Sequence, residues 1–350
     1  MMVCMAEAPG VLVVGLGFVA EGYLHYLRDA DRARLVAVAD PFEPARQRAA
    51  EVCSFEAGVD DYREVLERPD VDVVIVCTPH NLHHPVVTDA LRAGKDVLCE
   101  KPIAVNVAEA DEMIDLARDR RRTLLVGLNM RFSGWSWQID RLLGEGAVGR
   151  VVFARASYLG YETKRFNDPN NWKGDLVKAG GGVLLDGGYH VVDLLNWYLG
   201  RAKAVQALGG RRVIEPQNKG EDNVGVLIEY ENGAFADLFA SFTTCNVGCD
   251  REPTLFLSMD VSGTEATLLS GYDSARRHQS LEVVKPVGRD AIDLAPHGIP
   301  DKHDHFFDCI AGRDEPRVTA LDGRNATAVV EAAYESIRSG NRVDVDWRDE

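Results

Sequence analysis

A glycine-rich turn between an apolar run and a helical pattern constrains the fold of this chain more than any other feature. Residues 11–29 read "VLVVGLGFVAEGYLHYLRD", and residues 15–20 within them follow the pattern G-x-G-x-x-A. This pattern, placed after a buried strand and opening a helix, is typical of the first βα unit of a doubly wound parallel sheet. Gly15 permits a tight turn, Gly17 lets a ligand approach the backbone, and Ala20 allows the helix to pack closely on the strand.

The first third of the chain continues this alternation of strands and helices. Apolar runs of strand length alternate with segments whose apolar residues recur at helical spacing. From about residue 150 longer alternating segments appear, which predict antiparallel strands, together with a helix over 184–199 and a last helix over 325–340. The predicted parallel strands are 11–17, 35–40, 72–79, 95–102 and 123–129, and the predicted antiparallel segments are 151–160, 224–242 with a turn at 231–233, and 255–270. We therefore predict an α/β protein of two domains.

Composition excludes several classes of protein. The formal net charge of -16 argues against nucleic-acid binding, which needs clustered Lys and Arg. No apolar run approaches the ~18 residues of a membrane span, and the N-terminus lacks the basic region of a signal peptide. Among seven scattered cysteines the close pair is Cys245 and Cys249, which lacks the second pair that a zinc site needs. We expect a soluble cytoplasmic protein without a metal, a nucleic-acid partner or a membrane contact.

A carboxylate ends the second predicted strand. Asp40 stands where an acid accepts hydrogen bonds from the adenosine ribose of a dinucleotide, whose pyrophosphate is favoured at the N-terminus of the first helix. The same carboxylate repels a 2′-phosphate, so the sequence favours NAD over NADP, although Arg46 or Arg48 could compensate. A tight turn in some other wound sheet is the alternative. The expected cofactor contacts are Gly15, Gly17, Phe18, Val19, Asp40, Thr78, Pro79, His83, Glu100 and Lys101.

Two further loops follow predicted parallel strands at the edge where open wound sheets hold ligands. "CEKP" places Glu100 and Lys101 beside a nicotinamide, the alternative for Lys101 being a solvated loop lysine. "CTPHNLHHP" contains His83, which we expect to brace the following helix near the cofactor. The sequence therefore predicts a cationic side chain beside the reacting carbon of a substrate.

The stretch "DGGYHVVD" supplies a candidate base. If residues 184–199 are helical, Asp186, His190 and Asp193 share one face. The alternative is that Asp186 lies near the start of an ordinary helix, where an acid is favoured, and that His190 is a surface histidine. A nicotinamide enzyme that acts on an alcohol needs a base for the hydroxyl proton, and histidine suits this role near neutral pH. Lys101 would stabilise the developing alkoxide, and Asp186 would orient the imidazole or bind a neighbouring hydroxyl.

Four segments in order, residues 15–24, 77–102, 180–197 and 305–336, resemble the Gfo/Idh/MocA oxidoreductases, named for glucose-fructose oxidoreductase and inositol dehydrogenase. The resemblance implies a Rossmann domain over 1–128, followed over 129–350 by an α/β domain on a large, open, mostly antiparallel sheet. The outer face of that sheet would form a homo-oligomer, a dimer or a tetramer, and the last helix would pack near the first domain. The resemblance also implies catalytic roles for Lys101, Asp186 and His190. His80 stands where the family usually has Asn, which leaves open the contacts around the nicotinamide ribose.

The substrate contacts are expected on segments that face the cleft: Lys101, Asn129, Arg131, Tyr158, Trp172, Lys173, Asp186, His190 and Asp193, with the segment near Asn246 as an addition. A basic loop containing Lys164, Arg165 and Lys173 could bind a phosphate or a nucleotide, or be simply solvated.

The predicted reaction is NAD-dependent oxidation of a secondary ring hydroxyl of a sugar, amino sugar, sugar nucleotide or cyclitol to a ketone. The family suggests C3 of a hexopyranose. A keto sugar of this kind is a usual substrate for transamination, which would suit amino-sugar or aminoglycoside biosynthesis. Inositol or sugar catabolism, a keto-sugar reductase running in reverse and a non-catalytic NAD-binding sensor are the alternatives.

Overall fold

The computed structural model describes residues 8–168, 171–213, 220–244, 254–294 and 298–349. The chain forms two compact units. The first contains the described residues up to Ala104, then Ala108–Gly127 and Pro300–Ala320; the second contains Val105–Val107, Leu128–Ile299 and the described residues from Leu321 onward.

The first unit is built on six parallel strands in the order β3-β2-β1-β4-β5-β6. Every residue of β1 and β4 is buried, as expected for apolar strands covered on both faces. Five strands overlap the predicted apolar runs, with β1 and β2 each beginning one residue earlier, and β3 was not predicted. The strands are β1 Gly10–Val14, β2 Arg34–Ala39, β3 Ala57–Val59, β4 Val73–Val76, β5 Asp96–Cys99 and β6 Leu124–Val126. The strand order reverses between β1 and β4, which opens a crevice at the carboxyl ends of these two strands.

Helices of the first unit bury apolar stripes against this sheet. α1 buries Ala20, Tyr23, Leu24 and Leu27. The helices are α1 Phe18–Asp29, α2 Glu43–Val52, α3 Arg63–Leu66, α4 His83–Arg92, α5 Val107–Arg120 and, from late in the chain, α10 Lys302–Ile310.

Helix α10 belongs to the first unit although our predicted boundary placed residues 129–350 together. Phe306 and Phe307 of α10 lie in the same apolar core as Tyr23, Leu24 and Leu27. Tyr26 stacks on Phe307 with ring centroids 5.8 Å apart, and its hydroxyl donates to Asp304. This packing on α1 explains why Pro300–Ala320 join the first unit.

The second unit contains a nine-stranded sheet in the order β14-β13-β12-β11-β7-β10-β9-β8-β15. β10 pairs with β7 in parallel, and the other neighbouring strands are antiparallel. The predicted turn at 231–233 joins β9 to β10, whereas the predicted segment 255–270 is divided between β11 and β12. The strands are β7 Val151–Tyr161, β8 Ala202–Gly210, β9 Asn223–Tyr230, β10 Phe235–Ser241, β11 Thr254–Gly263, β12 Thr267–Asp273, β13 His278–Val284, β14 Arg289–Ala291 and β15 Val343–Asp344.

The predicted helix over 184–199 is present in the second unit, but it opens with a wide π-helical turn, Leu184–Gly188, before α9 begins. The helices are α6 Gly134–Gly144, α7 Thr163–Asn167, α8 Leu176–Ala179, α9 Tyr189–Leu199 and α11 Ala320–Ser339, which is followed by Gly340 at φ +72°. Within the described residues, none of the helices combines the length and apolarity that crossing a bilayer requires.

Candidate functional site

The glycine turn between β1 and α1 has the geometry that its sequence predicts. Gly15 adopts φ +86°, and a Cβ at this position would lie 2.7 Å from the backbone of Cys77 and Thr78. Gly17 precedes the first turn of α1 without a side-chain cap, and a Cβ there would meet no described atom within 4 Å. The turn therefore leaves backbone N–H groups of a 12-residue helix uncapped and open to an anionic group such as a pyrophosphate.

Asp40 is fixed beside this turn. One carboxylate oxygen accepts the N–H of Leu16 and the other accepts the N–H of Phe42, each at 2.8 Å. Each oxygen keeps a further lone pair, so the carboxylate can still accept the hydroxyls of a ribose. The acid, the open glycine and the uncapped helix together fit an adenine dinucleotide.

His83 braces two loops at the carboxyl edge of the sheet. Its Nδ1 lies 2.7 Å from the carbonyl oxygen of Pro102, and its Nε2 lies 3.1 Å from that of Thr78. Burial lowers the pKa of His83 to about 4, so the ring is neutral at pH 7 and carries one N–H. We assign this proton to Nδ1, which makes the shorter contact. His83 therefore links the loop after β4 to the loop that contains Lys101.

Glu100 holds the backbone at Lys101. The Glu100 carboxylate is buried, accepts the Tyr23 hydroxyl at 2.7 Å and accepts the N–H of Lys101 at 3.2 Å. A Cβ at Gly127, directly after β6, would lie 2.8 Å from this carboxylate and would displace it from its present position. Burial and the Glu100 charge raise the pKa of Tyr23, which keeps the phenol protonated as the donor. These contacts fix the backbone that presents the Lys101 side chain.

All ten predicted cofactor residues lie in loops or first helical turns after β1, β2, β4 and β5, which are neighbours in the sheet. Carboxyl ends of parallel neighbours share one edge, so topology brings these loops together. His80 is buried at the start of the 3-10 turn His80–Leu82, with its ring 5.7 Å from that of His83.

In the second unit, Asp186 lies in the π-helical turn and His190 in the first turn of α9. Both side chains are buried to the same extent, and Asp193, further along the helix, is more deeply buried. A single π-helical turn within a helix frequently marks a functional site. The ring of Tyr158 packs against this turn, where a Cβ at Gly187 would lie 2.3 Å from it. Burial raises the pKa of Tyr158, as do the carboxylates of Asp186 and Glu162.

Lys173 is the cation that the structure brings to Asp186. Its Nζ donates to Asp186 Oδ2 at 2.6 Å, and the two side chains are only 16% and 11% exposed. Lys173 also lies 5.7 Å from the ring centre of Trp172. Because this ion pair is largely shielded from solvent, unlike exposed pairs that contribute little, Lys173 holds the carboxylate of Asp186 in one position. Four predicted residues, Tyr158, Trp172, Lys173 and Asp186, thus form one cluster.

Arg131 and Asp193 pair with each other. The guanidinium donates to both carboxylate oxygens of Asp193, at 3.0 and 2.6 Å, and to Asp322 at 3.0 Å. Burial alone would lower the pKa of Arg131, but the two carboxylates outweigh it and raise the pKa. Burial raises the pKa of Asp193 to about 6 against the opposing pull of Arg131. These contacts hold α9, which contains Asp193, against the segment that contains Arg131, and the predicted substrate contacts of both side chains stay predictions. Asn129 is exposed.

Glu221 is a site residue that sequence reasoning missed. Its carboxylate accepts the N–H groups of Gly182 and Leu184, at 3.0 and 2.9 Å, and the hydroxyl of Tyr334 at 3.0 Å. It therefore caps the helix that contains Asp186 and His190. A Cβ at Gly182 would lie 1.9 Å from the Glu221 backbone, so the glycine run is a packed corner and not a flexible hinge. No local signal marks Glu221, because it is 39 residues from Gly182.

The basic loop is partly neutralised by its own neighbours. Arg165 donates to the buried carboxylate of Glu162 at 2.9 Å. The predicted contact near Asn246 and the cysteines Cys245 and Cys249 fall outside the described residues. Among the residues that are described, no group of three His, Cys, Asp or Glu side chains could hold a metal ion.

The chain has the features of an NAD-binding oxidoreductase: the parallel sheet, the glycine turn after β1, and Asp40, whose carboxylate can accept the ribose hydroxyls. The chain matches "Oxidoreductase family, NAD-binding Rossmann fold" over residues 10–128 and "GFO/IDH/MocA C-terminal domain" over residues 137–269. It is 30% identical to trans-1,2-dihydrobenzene-1,2-diol dehydrogenase of Mus musculus over 70% of this chain and 71% of that protein. The chain belongs to the Gfo/Idh/MocA family, as its motifs predicted.

Two other relatives cover nearly the whole chain. Scyllo-inositol 2-dehydrogenase (NAD(+)) of Bacillus subtilis is 27% identical over 95% of both proteins. The crystal structure of levoglucosan dehydrogenase in complex with NADH superposes with a TM-score of 0.83, at 24% identity, over 97% of this chain and 100% of that chain. The last comparison confirms the predicted fold.

Proposed function

We propose that this enzyme oxidises a secondary ring hydroxyl of an uncharged sugar or cyclitol to a ketone, with NAD as the hydride acceptor. The observation that carries the proposal is the buried cluster in which Lys173 holds Asp186, with His190 four residues further along the same helix. Oxidation of an alcohol requires removal of one proton and one hydride, and this helix face offers a base and a hydroxyl acceptor.

In the proposed chemistry His190, Asp186 and Lys101 have separate roles. His190 takes the hydroxyl proton as the carbon loses hydride, a role that an imidazole fills near neutral pH. Asp186 accepts a neighbouring hydroxyl and fixes the ring of the substrate. Lys101 stabilises the negative charge that develops on the oxygen. Bound NAD supplies the acceptor for the hydride.

The charges of the second unit favour a substrate without a phosphate. Lys173 is paired with Asp186, Arg165 with Glu162, and Arg131 with Asp193 and Asp322. A phosphate or nucleotide diphosphate would have to compete with these carboxylates for each cation. The relative named above for scyllo-inositol has an uncharged ring in its name, which supports the same choice. Tyr158 and Trp172 provide the aromatic surface on which a sugar ring can pack.

The C3 hydroxyl of a hexopyranose is the first position to test. A 3-keto sugar is a substrate for transamination, which would suit amino-sugar biosynthesis, whereas an inositol substrate would suit catabolism. The same residues would serve a reductase working in the opposite direction, and product accumulation at defined NAD to NADH ratios separates the two.

The test is NADH formation by the purified protein with NAD and a panel of free hexoses, 1,6-anhydro sugars, inositols, sugar phosphates and UDP-sugars. We expect turnover with uncharged rings and a loss on the order of a hundredfold or more in His190→Ala. Turnover confined to phosphorylated or nucleotide sugars would overturn the charge argument. If the parent protein binds NAD but turns over no member of the panel, and His190→Ala binds NAD with the same affinity, a non-catalytic NAD sensor would be favoured.

A further inference from the structure

An arginine lies between the ends of two neighbouring strands of the first unit. β2 and β3 pair in parallel with Ala39 opposite Val59, so Asp40 and Asp60 follow at adjacent positions on the carboxyl edge of the sheet. Arg46, in the first half of α2, reaches back to both. Its Nη1 lies 2.5 Å from the backbone oxygen of Asp40 and 2.5 Å from the carboxylate of Asp60.

This arrangement surrounds the position of the adenosine ribose. Asp40 is tied to the glycine turn through Leu16, so its carboxylate faces the sugar of a dinucleotide bound there. NADP differs from NAD by a phosphate on this ribose, and arginine is the side chain that proteins commonly use to accept it. The structure therefore places a phosphate-binding side chain beside the ribose acid.

The arginine is not available to a phosphate, because Asp60 holds it. The Arg46 side chain is 17% exposed, and its charge is offset by a carboxylate 2.5 Å away. To bind Arg46, a 2′-phosphate would have to displace Asp60. At the same time Asp40 would repel the phosphate. Asp60 itself is 71% exposed and follows β3, outside the glycine turn between β1 and α1.

We infer that Asp60 is a determinant of cofactor specificity, which selects against NADP by engaging Arg46. Asp40 excludes the 2′-phosphate by repulsion, and Asp60 engages Arg46, a nearby cation that could otherwise bind this phosphate. The inference concerns the NAD-binding unit and does not depend on the identity of the sugar substrate.

The test compares dissociation constants of NADH and NADPH, measured by titration calorimetry without substrate. Asp60→Asn releases Arg46 and should lower the NADPH dissociation constant about tenfold, because a charged hydrogen bond to the phosphate becomes available. The NADH dissociation constant should stay within about twofold. The gain for NADPH should shrink at high salt, since the new contact is an attraction between opposite charges, which salt screens.

Asp61→Asn is the matched control. It removes the same charge one residue away, from a carboxylate that pairs with Arg63 and not with Arg46. We expect Asp61→Asn to change NADPH affinity less than twofold, which separates release of Arg46 from a general change in charge. Adding Arg46→Met to Asp60→Asn should abolish the gain.

Three results would overturn the inference: equal effects of Asp60→Asn and Asp61→Asn, a gain that survives Arg46→Met, or a parent protein that binds both cofactors equally. Thermal melting of each variant checks the fold, and Asp60→Ser provides a second substitution should Asn prove unstable. Failure of these predictions leaves the proposed sugar oxidation standing, since that is measured by turnover.

Discussion

A buried histidine shows how one residue ties the cofactor loops together. His83 was predicted from its position after a parallel strand, and the structure shows its Nδ1 2.7 Å from the carbonyl oxygen of Pro102, in the loop after the next strand of the sheet. Its contacts are with backbone atoms, which no side-chain pattern in a sequence reveals. Equally, the pairing of Arg131 with Asp193 joins residues 62 apart, so residue types alone predicted a polar site but not which groups neutralise one another.

The pKa of His83 predicts a dependence of stability on pH. Burial lowers this pKa from 6.5 to about 4. Below pH 6.5 the unfolded chain takes up a proton that the folded protein refuses, so stability falls as the pH drops from about 6.5 to 4 and levels off below 4. This shift corresponds to about 3 kcal/mol. We expect urea unfolding to show that the advantage of the parent over His83→Gln shrinks by this amount between pH 7 and pH 4. An advantage independent of pH would contradict the assignment.

Lys173 is expected to act through Asp186. Lys173→Met removes the cation 2.6 Å from a carboxylate that is largely buried, which disfavours the ionised acid. The acid limb of the kcat/KM profile should therefore move to higher pH, with a fall of about tenfold or more at pH 7. In Lys173→Arg the acid limb should lie close to its pH in the parent protein. A uniform loss at every pH would indicate a role in packing alone.

Among the elements, long periodic segments were predictable and short or irregular ones were not. β1 and α11 have strong apolar patterns and overlap the predicted segments, although α11 begins five residues earlier than predicted. β3 has only three residues and gains its place from pairing with β2, which local sequence does not encode. The π-helical turn at Leu184–Gly188 depends on Tyr158 packing against Gly187, a contact across two elements.

The helix with Asp186 and His190 depends on a distant cap. Glu221→Ala would leave the N–H groups of Gly182 and Leu184 and the hydroxyl of Tyr334 without this acceptor. Because the corner is buried, we expect a loss of about 2–3 kcal/mol in the free energy of unfolding. Glu221→Gln retains an acceptor oxygen and should lose less. Equal losses of unfolding free energy for Glu221→Ala and Glu221→Gln, measured with urea, would show that the packing of the side chain matters and not its hydrogen bonds to the helix start.

At the scale of the whole molecule, the outer face of the nine-stranded sheet exposes large apolar side chains. Leu208 is 81% exposed and Phe239 is 53% exposed, and the strand register places both opposite Gly225. An exposed apolar patch of this kind is typical of a protein interface. We propose that this face forms the homo-oligomer that the family resemblance implied.

The oligomer prediction is tested by sedimentation. Leu208→Glu combined with Phe239→Glu should shift the protein to a smaller species, because two charges would be buried in the interface. Val287→Glu is the control, since Val287 is 92% exposed but lies outside these strands. An unchanged sedimentation coefficient in the double variant would show that this face does not form the interface.

The central claim is that hydride passes from a ring carbon of an uncharged polyol to NAD. Its most direct test uses the most active panel member, deuterated at its ring carbons, and mass spectrometry of the NADH formed. The account predicts one deuterium in the NADH for each ketone produced, and slower turnover than with the unlabelled compound wherever hydride transfer limits the rate. NADH that carries no deuterium would contradict it.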